Sequence, residues 1–155
     1  MKVLALIFFI VFTINNSYAI DPLKDSIAMS ASALKAQSKR LEVTAENIAN
    51  AQTTGLTPGA KPYQRKTIYF KTGKGSKGKA RTIRIAKIGV DKSEFIKKYE
   101  PYHPAADIDG YVSYPNVNTN IESADAREAQ RSYNANLNVI EIARAMTNKT
   151  LDVLR

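Results

Sequence analysis

The sequence predicts an α+β fold in which two long terminal helices pack as a coiled-coil-like pair, with a small antiparallel β domain inserted between them. Large aliphatic residues recur every seven positions near both ends of the chain, as on helices that pack against other helices. The middle of the chain is rich in β-branched and aromatic residues, as strands are. These patterns divide the chain into a leader at 1–19, an N-terminal helix at 21–55, a basic β-rich region with an extended return segment at 56–118, and a C-terminal helix at 119–155.

The N-terminal helix is predicted to carry two apolar rows. The first row has large residues seven positions apart, namely Ile27, Leu34, Leu41 and Ile48. The second row lies about 200° around the helix and consists of Met29, Ala36 and Val43. Asp21 with Pro22 can begin the helix, and the run Thr53–Gly55 can end it. A helix with two opposed apolar rows needs neighbours on both sides.

The middle of the chain predicts a small antiparallel unit of three or more strands. The candidate strands are 63–70, 81–90 and 95–99. Within the second of them the apolar alternation slips by one position at Ala86-Lys87, which predicts a β-bulge. The proline-rich segment 101–118 then predicts an extended return toward the last helix.

The C-terminal helix is predicted to begin at Thr119, because Thr119 and Glu122 have the spacing of a capping box. It also carries two apolar rows. One consists of Tyr133, Ile140 and Leu154, with Leu137 and Leu151 beside it, and the other of Val139, Met146 and Val153, with Ile142 beside it.

The first residues, 1–19, read as a secretory signal peptide. Lys2 precedes the apolar run Val3–Ile14, and Ser17 and Ala19 put small residues at the two positions that a signal peptidase recognises. The run is shorter than the roughly 20 residues that a permanent membrane span needs. We therefore expect no permanent membrane span after removal of the leader.

The net charge of +9 is concentrated in one region. Residues 61–98 hold 13 Lys and Arg against 2 Asp and Glu, a net charge of +11. Together with Tyr63, Tyr69, Phe70, Phe95 and Tyr99, this charge keeps open an alternative function, that of a secreted basic module that binds a polyanion or single-stranded nucleic acid. A solvated face, or one matched to acidic neighbours in an assembly, explains the same residues.

The few residues of the kinds used in catalysis or ligand binding indicate a protein that is not an enzyme. The chain has no Cys and a single His. The loop Gly73–Lys79 has the spacing of a phosphate-binding loop but is followed by Ala80, where a Ser or Thr is needed. His103, Asp107 and Asp109 fit a turn better than a metal site. We expect no catalytic residue, metal, cofactor or small-molecule substrate.

Both ends of the chain resemble the axial proteins of the bacterial flagellum, and within that group the FlgC family of basal-body rod proteins. The motifs that carry the resemblance lie in 33–38, 47–51, 54–55, 99–117, 131–136 and 149–151. The resemblance covers residues 21–155. It implies a structural subunit of the proximal rod that assembles with itself and with other rod subunits in a helical tube, without nucleic acid, for motility.

The apolar rows indicate where subunits pack, and the resemblance adds Asn47 and Asn50 to these positions and implies how the protein leaves the cell. The residues expected to pack between subunits are Ile27, Leu34, Leu41, Asn47, Ile48, Asn50, Tyr133, Leu137, Ile140, Met146 and Leu151. The implied location is the periplasm-spanning rod of the basal body, with the terminal helices around the export channel. Rod proteins of this group use the flagellar type III apparatus and begin near the Asp21 equivalent. The leader therefore indicates either a different export route or a start codon upstream of the real one.

The two apolar rows on each helix lead to an expectation about the free protein. One partner helix buries one row of each helix, so the rows Met29–Ala36–Val43 and Val139–Met146–Val153 are expected to stay exposed until neighbouring subunits arrive. Ordering a residue costs about 1–2 kcal/mol. We therefore expect the terminal helices to be largely unfolded in the free monomer.

Overall fold

The computed structural model describes residues 22–73 and 81–153 and shows two long helices packed together with a small β region between them. The predicted fold class is confirmed. The elements in chain order are α1 (Pro22–Ala49), β1 (Lys66–Thr72), β2 (Ile83–Val90), β3 (Ile96–Tyr99), β4 (Tyr111–Tyr114) and α2 (Thr119–Val153). The predicted leader, the capping role of Asp21, most of the loop Gly73–Lys79 and the row residue Leu154 lie outside the described residues.

Helix α1 ends earlier than predicted. It stops at Ala49, and the expected stop signal at Thr53–Gly55 lies in the loop that follows. The Asn50 side chain donates a hydrogen bond to the Glu46 carbonyl oxygen (2.9 Å), while its own oxygen accepts one from the Thr53 hydroxyl (3.2 Å). The Glu46 carbonyl also accepts the backbone N–H of Asn50 (3.1 Å), so the Asn50 side chain adds a second hydrogen bond at the last turn of α1.

The two helices meet through small side chains. Ala33, Ala36 and Val43 are buried on α1, and Ala129, Ile140 and Ala143 are buried on α2. The expectation that the row Met29–Ala36–Val43 stays exposed is therefore wrong for Ala36 and Val43, each only 3% exposed, although Met29 is 45% exposed. Alanine lets two helix backbones approach closely, so the small residues face inward.

The β region consists of two separate two-stranded antiparallel sheets, so the prediction of one unit of three or more strands is wrong. Strand β1 pairs with β2, and β3 pairs with β4. The predicted bulge is confirmed: Tyr69 pairs with Lys87 and Phe70 with Ile85, which leaves Ala86 without a partner. Strand β4 lies within the segment predicted as an extended return.

Helix α2 is capped by Asn118 and not by the predicted capping box. The Asn118 side-chain oxygen accepts hydrogen bonds from the backbone N–H groups of Asn120 (3.0 Å) and Ile121 (3.3 Å). The Glu122 carboxylate, expected to complete the capping box, instead points into the protein. No helix of the described part of the chain has the length and apolar character needed to cross a membrane.

Candidate functional site

A buried polar junction joins the C-terminal end of α1 to β1 and to the first turn of α2. Its centre is Asn47, which is 1% exposed. The Asn47 amide nitrogen donates to the Lys66 carbonyl and to the Glu122 carboxylate, both at 2.9 Å. The Asn47 oxygen accepts from the Lys66 N–H (2.8 Å) and the Tyr63 hydroxyl (2.9 Å). All four hydrogen-bonding positions of the side chain are therefore satisfied within the chain.

The buried carboxylate of the junction is neutralised by an arginine. Glu122 is 1% exposed, and Arg65 Nε donates to its Oε1 at 2.6 Å. Burial lowers the pKa of Arg65, but the hydrogen bond to Glu122 and the charges of Glu122 and Asp91 outweigh this and raise it. The pKa of Asp91 is lowered, first by hydrogen bonds from Ser93 and then by Arg65. This electrostatic arrangement holds β1 against the start of α2.

Asn116 extends the junction to the segment between β2 and β3. Its side-chain oxygen accepts from the Arg65 N–H (2.9 Å). Its amide nitrogen donates to the Ser93 hydroxyl (2.9 Å) and also reaches the carbonyl oxygens of Asp91 and Ser93 (3.3 Å each). One side chain near the end of the β region therefore connects three segments that are distant in the sequence.

A second ion pair joins the helices beside the junction. Arg40 of α1 and Asp125 of α2 form a two-pronged pair, in which Arg40 Nε lies 3.0 Å from Oδ2 and Nη2 binds Oδ1. The hydrogen bond from Arg40 to Asp125 raises the pKa of the arginine. The two residues are 85 positions apart in the sequence, so this pair and the junction set how α1 and α2 lie against each other.

The turn before β4 explains the acidic residues that were considered as metal ligands. Asp107 Oδ1 accepts hydrogen bonds from the backbone N–H groups of Asp109 (3.0 Å) and Tyr111 (2.8 Å). His103 Nδ1 accepts from the Ala105 N–H (3.1 Å). These contacts are those of a turn. Over 22–73 and 81–153, no group of three or more His, Cys, Asp or Glu residues is placed to hold a metal ion.

Comparison with known proteins gives the same assignment at both ends of the chain and along its length. Family models described as flagella basal body rod protein and as flagellar basal body rod FlgEFG protein C-terminal match residues 27–61 and 108–153. The flagellar basal-body rod protein FlgC of Agrobacterium fabrum is 47% identical over 135 residues, 87% of this chain and 97% of the relative. The chain belongs to the FlgC family of flagellar basal-body rod proteins.

More distant FlgC proteins match over most of their length as well. The FlgC protein of Salmonella typhimurium is 38% identical over 124 residues, 79% of this chain and 91% of the relative. That of Bacillus subtilis is 32% identical over 145 residues, 83% of this chain and 95% of the relative. The chain is therefore a structural protein of the basal-body rod that assembles with other rod components, and the alternative of a polyanion-binding module has no support from these relatives.

The structure distributes the residues expected to pack between FlgC subunits over three environments. Asn47 and Ile140 are buried within the chain. Ile27, Leu34, Leu41, Asn50 and Tyr133 are half-buried. The exposed members are Ile48, Leu137, Met146 and Leu151, which are 36–60% exposed. The structure thus gives Asn47 an intramolecular role, because each of its polar atoms already has a partner.

Sequence reasoning missed most of the junction. Arg65 is one of the 13 basic residues of 61–98, and its position in the sequence does not distinguish it from the others. Asn116 and Tyr63 carry no spacing signal either. Glu122 was singled out, but for a local capping role. Asn47 gave one signal in the sequence: it is a polar amide near the end of α1, directly before the apolar Ile48.

We expect loss of the Glu122 carboxylate to destabilise the protein strongly. Glu122→Ala leaves Arg65 and the Asn47 amide without their buried partner and should cost about 3–5 kcal/mol of unfolding free energy. Glu128→Ala is the matched control, since the ion pair of Glu128 with Arg131 is exposed on the same helix and is worth about 1 kcal/mol or less. Urea unfolding of the purified proteins measures both, and equal losses would contradict the importance of the junction.

We also expect an alkaline loss of stability that depends on Tyr63. Burial, together with the carboxylates of Glu46 and Glu122, raises the pKa of Tyr63 to about 12 from its ordinary value of 10.0. The unfolded chain loses this proton near pH 10 and the folded chain near pH 12, so stability falls as the pH rises between these values. Urea unfolding at a series of pH values should show a shallower decline in Tyr63→Phe, and an unchanged slope would contradict this assignment.

Proposed function

We propose that this protein assembles with copies of itself and with other rod subunits in a helical tube, through the outer faces of α1 and α2. The observation that carries the proposal is the apolar surface that remains after the helices have paired. On α2 it consists of Val139, Ile142, Met146 and Val153, which share one side of the helix and are 42–86% exposed. Exposed apolar surface that is continuous along a helix marks an interaction site in a protein of this kind.

The length of the helices suits a tube in which each subunit contacts several others. Helix α2 has 35 residues and α1 has 28, which at 1.5 Å per residue gives helix lengths of roughly 52 and 42 Å. All residues of α2 from Arg144 to Val153 are exposed. This part of α2 therefore has room for helices of neighbouring subunits. In the proposed tube, the paired helices would surround the export channel and the β region would face outward.

The role proposed for this protein is structural and involves no catalysis, nucleic acid or small-molecule substrate. The polar residues of the junction, Asn47, Arg65 and Glu122, are engaged with one another. Their arrangement is suited to holding three segments in a defined relation. Assembly would then depend on apolar contacts between subunits. Charged residues are depleted from the cores of such interfaces, so the polar junction contributes to the fold and not to the interface.

We expect a charge on the outer face of α2 to stop assembly without unfolding the subunit. Met146 is 52% exposed, so Met146→Asp should change the unfolding free energy of the monomer by less than about 1 kcal/mol. In the rod the same carboxylate would be buried without a partner, at a cost of several kcal/mol. A strain in which this variant replaces the chromosomal copy should therefore not swim.

Asn148→Asp is the matched control for this variant. It introduces the same charge two residues further along α2, about 200° around the helix from Met146 and so away from the row of Val139, Ile142, Met146 and Val153. We expect this strain to swim nearly as well as the parent. Normal swimming of the Met146→Asp strain would contradict the proposal that the outer face of α2 is an interface.

We further expect the ends of the helices remote from the junction to become ordered only in the assembly. The buried residues of α2 do not extend beyond Ala143, and ordering each exposed residue costs about 1–2 kcal/mol of backbone entropy. In a verified monomer, the amides of 144–153 should exchange rapidly, whereas those of 43–47 and 122–129 should be protected. In assembled material all three segments should be protected, and uniform protection along α2 of the monomer would contradict this expectation.

A further inference from the structure

The turn between β3 and β4 has the features of a docking element. Residues 99–110 contain the three carboxylates of Glu100, Asp107 and Asp109 and no Lys or Arg. Two large apolar side chains of this turn, Tyr102 and Ile108, are fully exposed. Fully exposed tyrosine and isoleucine, beside carboxylates that form no ion pair in the described part of the chain, make a small acidic and apolar surface of the kind that inserts into a partner.

The turn presents these side chains in a defined conformation. Besides the side-chain bonds of Asp107, the Asp107 N–H donates to the Tyr111 carbonyl (2.9 Å) and the Gly110 N–H donates to the Asp107 carbonyl (3.0 Å). Gly110 has a φ of 81°, which a residue with a Cβ adopts only with strain. Because the backbone around Ile108 is already ordered, binding through this turn loses little conformational entropy.

The outer face of the β1–β2 hairpin has the complementary character. Tyr69 lies directly opposite Lys87, and Lys71 directly opposite Arg84, so the four side chains share one face of the hairpin. Lys87 Nζ lies 4.9 Å from the centre of the Tyr69 ring, and Tyr69 is 48% exposed. Within the part of the chain that the structure covers, Lys71, Arg84 and Lys87 form no ion pair.

We propose that the β3–β4 turn of one copy docks on this basic face of the hairpin of a second copy. Three carboxylates would meet three cations, and Ile108 and Tyr102 would cover the Tyr69 ring. The proposal rests on the proposed function, because the contact forms between copies that the helices already hold together.

Charge also sets the geometry of this contact. Two hairpins repel each other, and so do two turns, so a symmetric contact through either surface is disfavoured. The two sheets of one chain make no contact with each other in the described structure. Contact between the turn of one copy and the hairpin of another is therefore favoured, and in the helical tube proposed above such contacts run head-to-tail from copy to copy. Its area is far below the roughly 800 Å² per partner of a stable isolated interface, so it adds to the helix contacts and does not replace them.

Cysteine cross-linking can test the proposal. The chain contains no Cys, so every disulfide between two copies must involve an introduced cysteine. Copies with Ile108→Cys and copies with Lys87→Cys are produced together in cells that also make the wild-type protein, so that rods assemble. Mild oxidation should give a disulfide-linked species of twice the chain mass. Cells with either variant alone should not give it, because a head-to-tail contact places residue 108 against residue 87.

Gln52→Cys in place of Lys87→Cys is the matched control, since Gln52 is exposed in the loop after α1. A second arm tests the charges: Asp109→Lys in the first copy should lower the cross-linking yield at least about threefold, and adding Lys71→Glu in the second copy should restore it.

Swimming cells in which the yield does not exceed the Gln52→Cys control would overturn the proposal. A cross-link from Ile108→Cys to a different protein, without the chain-to-chain species, would also overturn it. Either result would leave the proposal of assembly through the helices standing, whereas normal swimming of the Met146→Asp strain would contradict that proposal.

Discussion

The structure depends on the buried carboxylate of Glu122 being met by Arg65 and Asn47 at the same time. A carboxylate removed from water costs several kcal/mol unless charge and hydrogen bonds replace the water it loses. Those partners come from the end of α1 and from the residue just before β1, while Glu122 belongs to α2. The carboxylate is therefore compensated only when all three segments are in place, which makes the junction a condition for the fold.

A polar junction also supplies what the helix faces cannot. Apolar rows that repeat every seven residues can pack in several registers, because sliding one helix by one repeat brings similar side chains together. A buried hydrogen-bonded cluster has one register in which all its groups are satisfied, and a slip leaves a charge without a partner. Asn47 and Glu122, supported by the Arg40–Asp125 pair, therefore fix the helices relative to each other where the alanine contacts alone do not.

What could be predicted from the sequence depends on whether a feature is set by neighbouring residues or by contacts between distant segments. The helices and the bulge at Ala86 could be predicted, because periodicity and its interruption are local. The row of α1 that faces α2 could not, because either row could meet a helix of the same chain or of another copy. The pairing into two sheets and the choice of Arg65 among many cations depend on contacts between segments far apart in the sequence, and no local pattern records them.

The exposed apolar surface raises the question of what keeps free subunits from associating in wrong orientations. The charge of the chain provides an answer, because residues 61–98 carry a net charge of +11 and repel the same region of another copy. Any approach that brings two β hairpins together is therefore disfavoured, while approaches that bring a hairpin toward an acidic surface are not. Apolar contacts supply most of the free energy of assembly but little directional preference. In the proposed assembly the uneven charge would supply that preference, with the basic β region restricting the orientations in which the helices can pack.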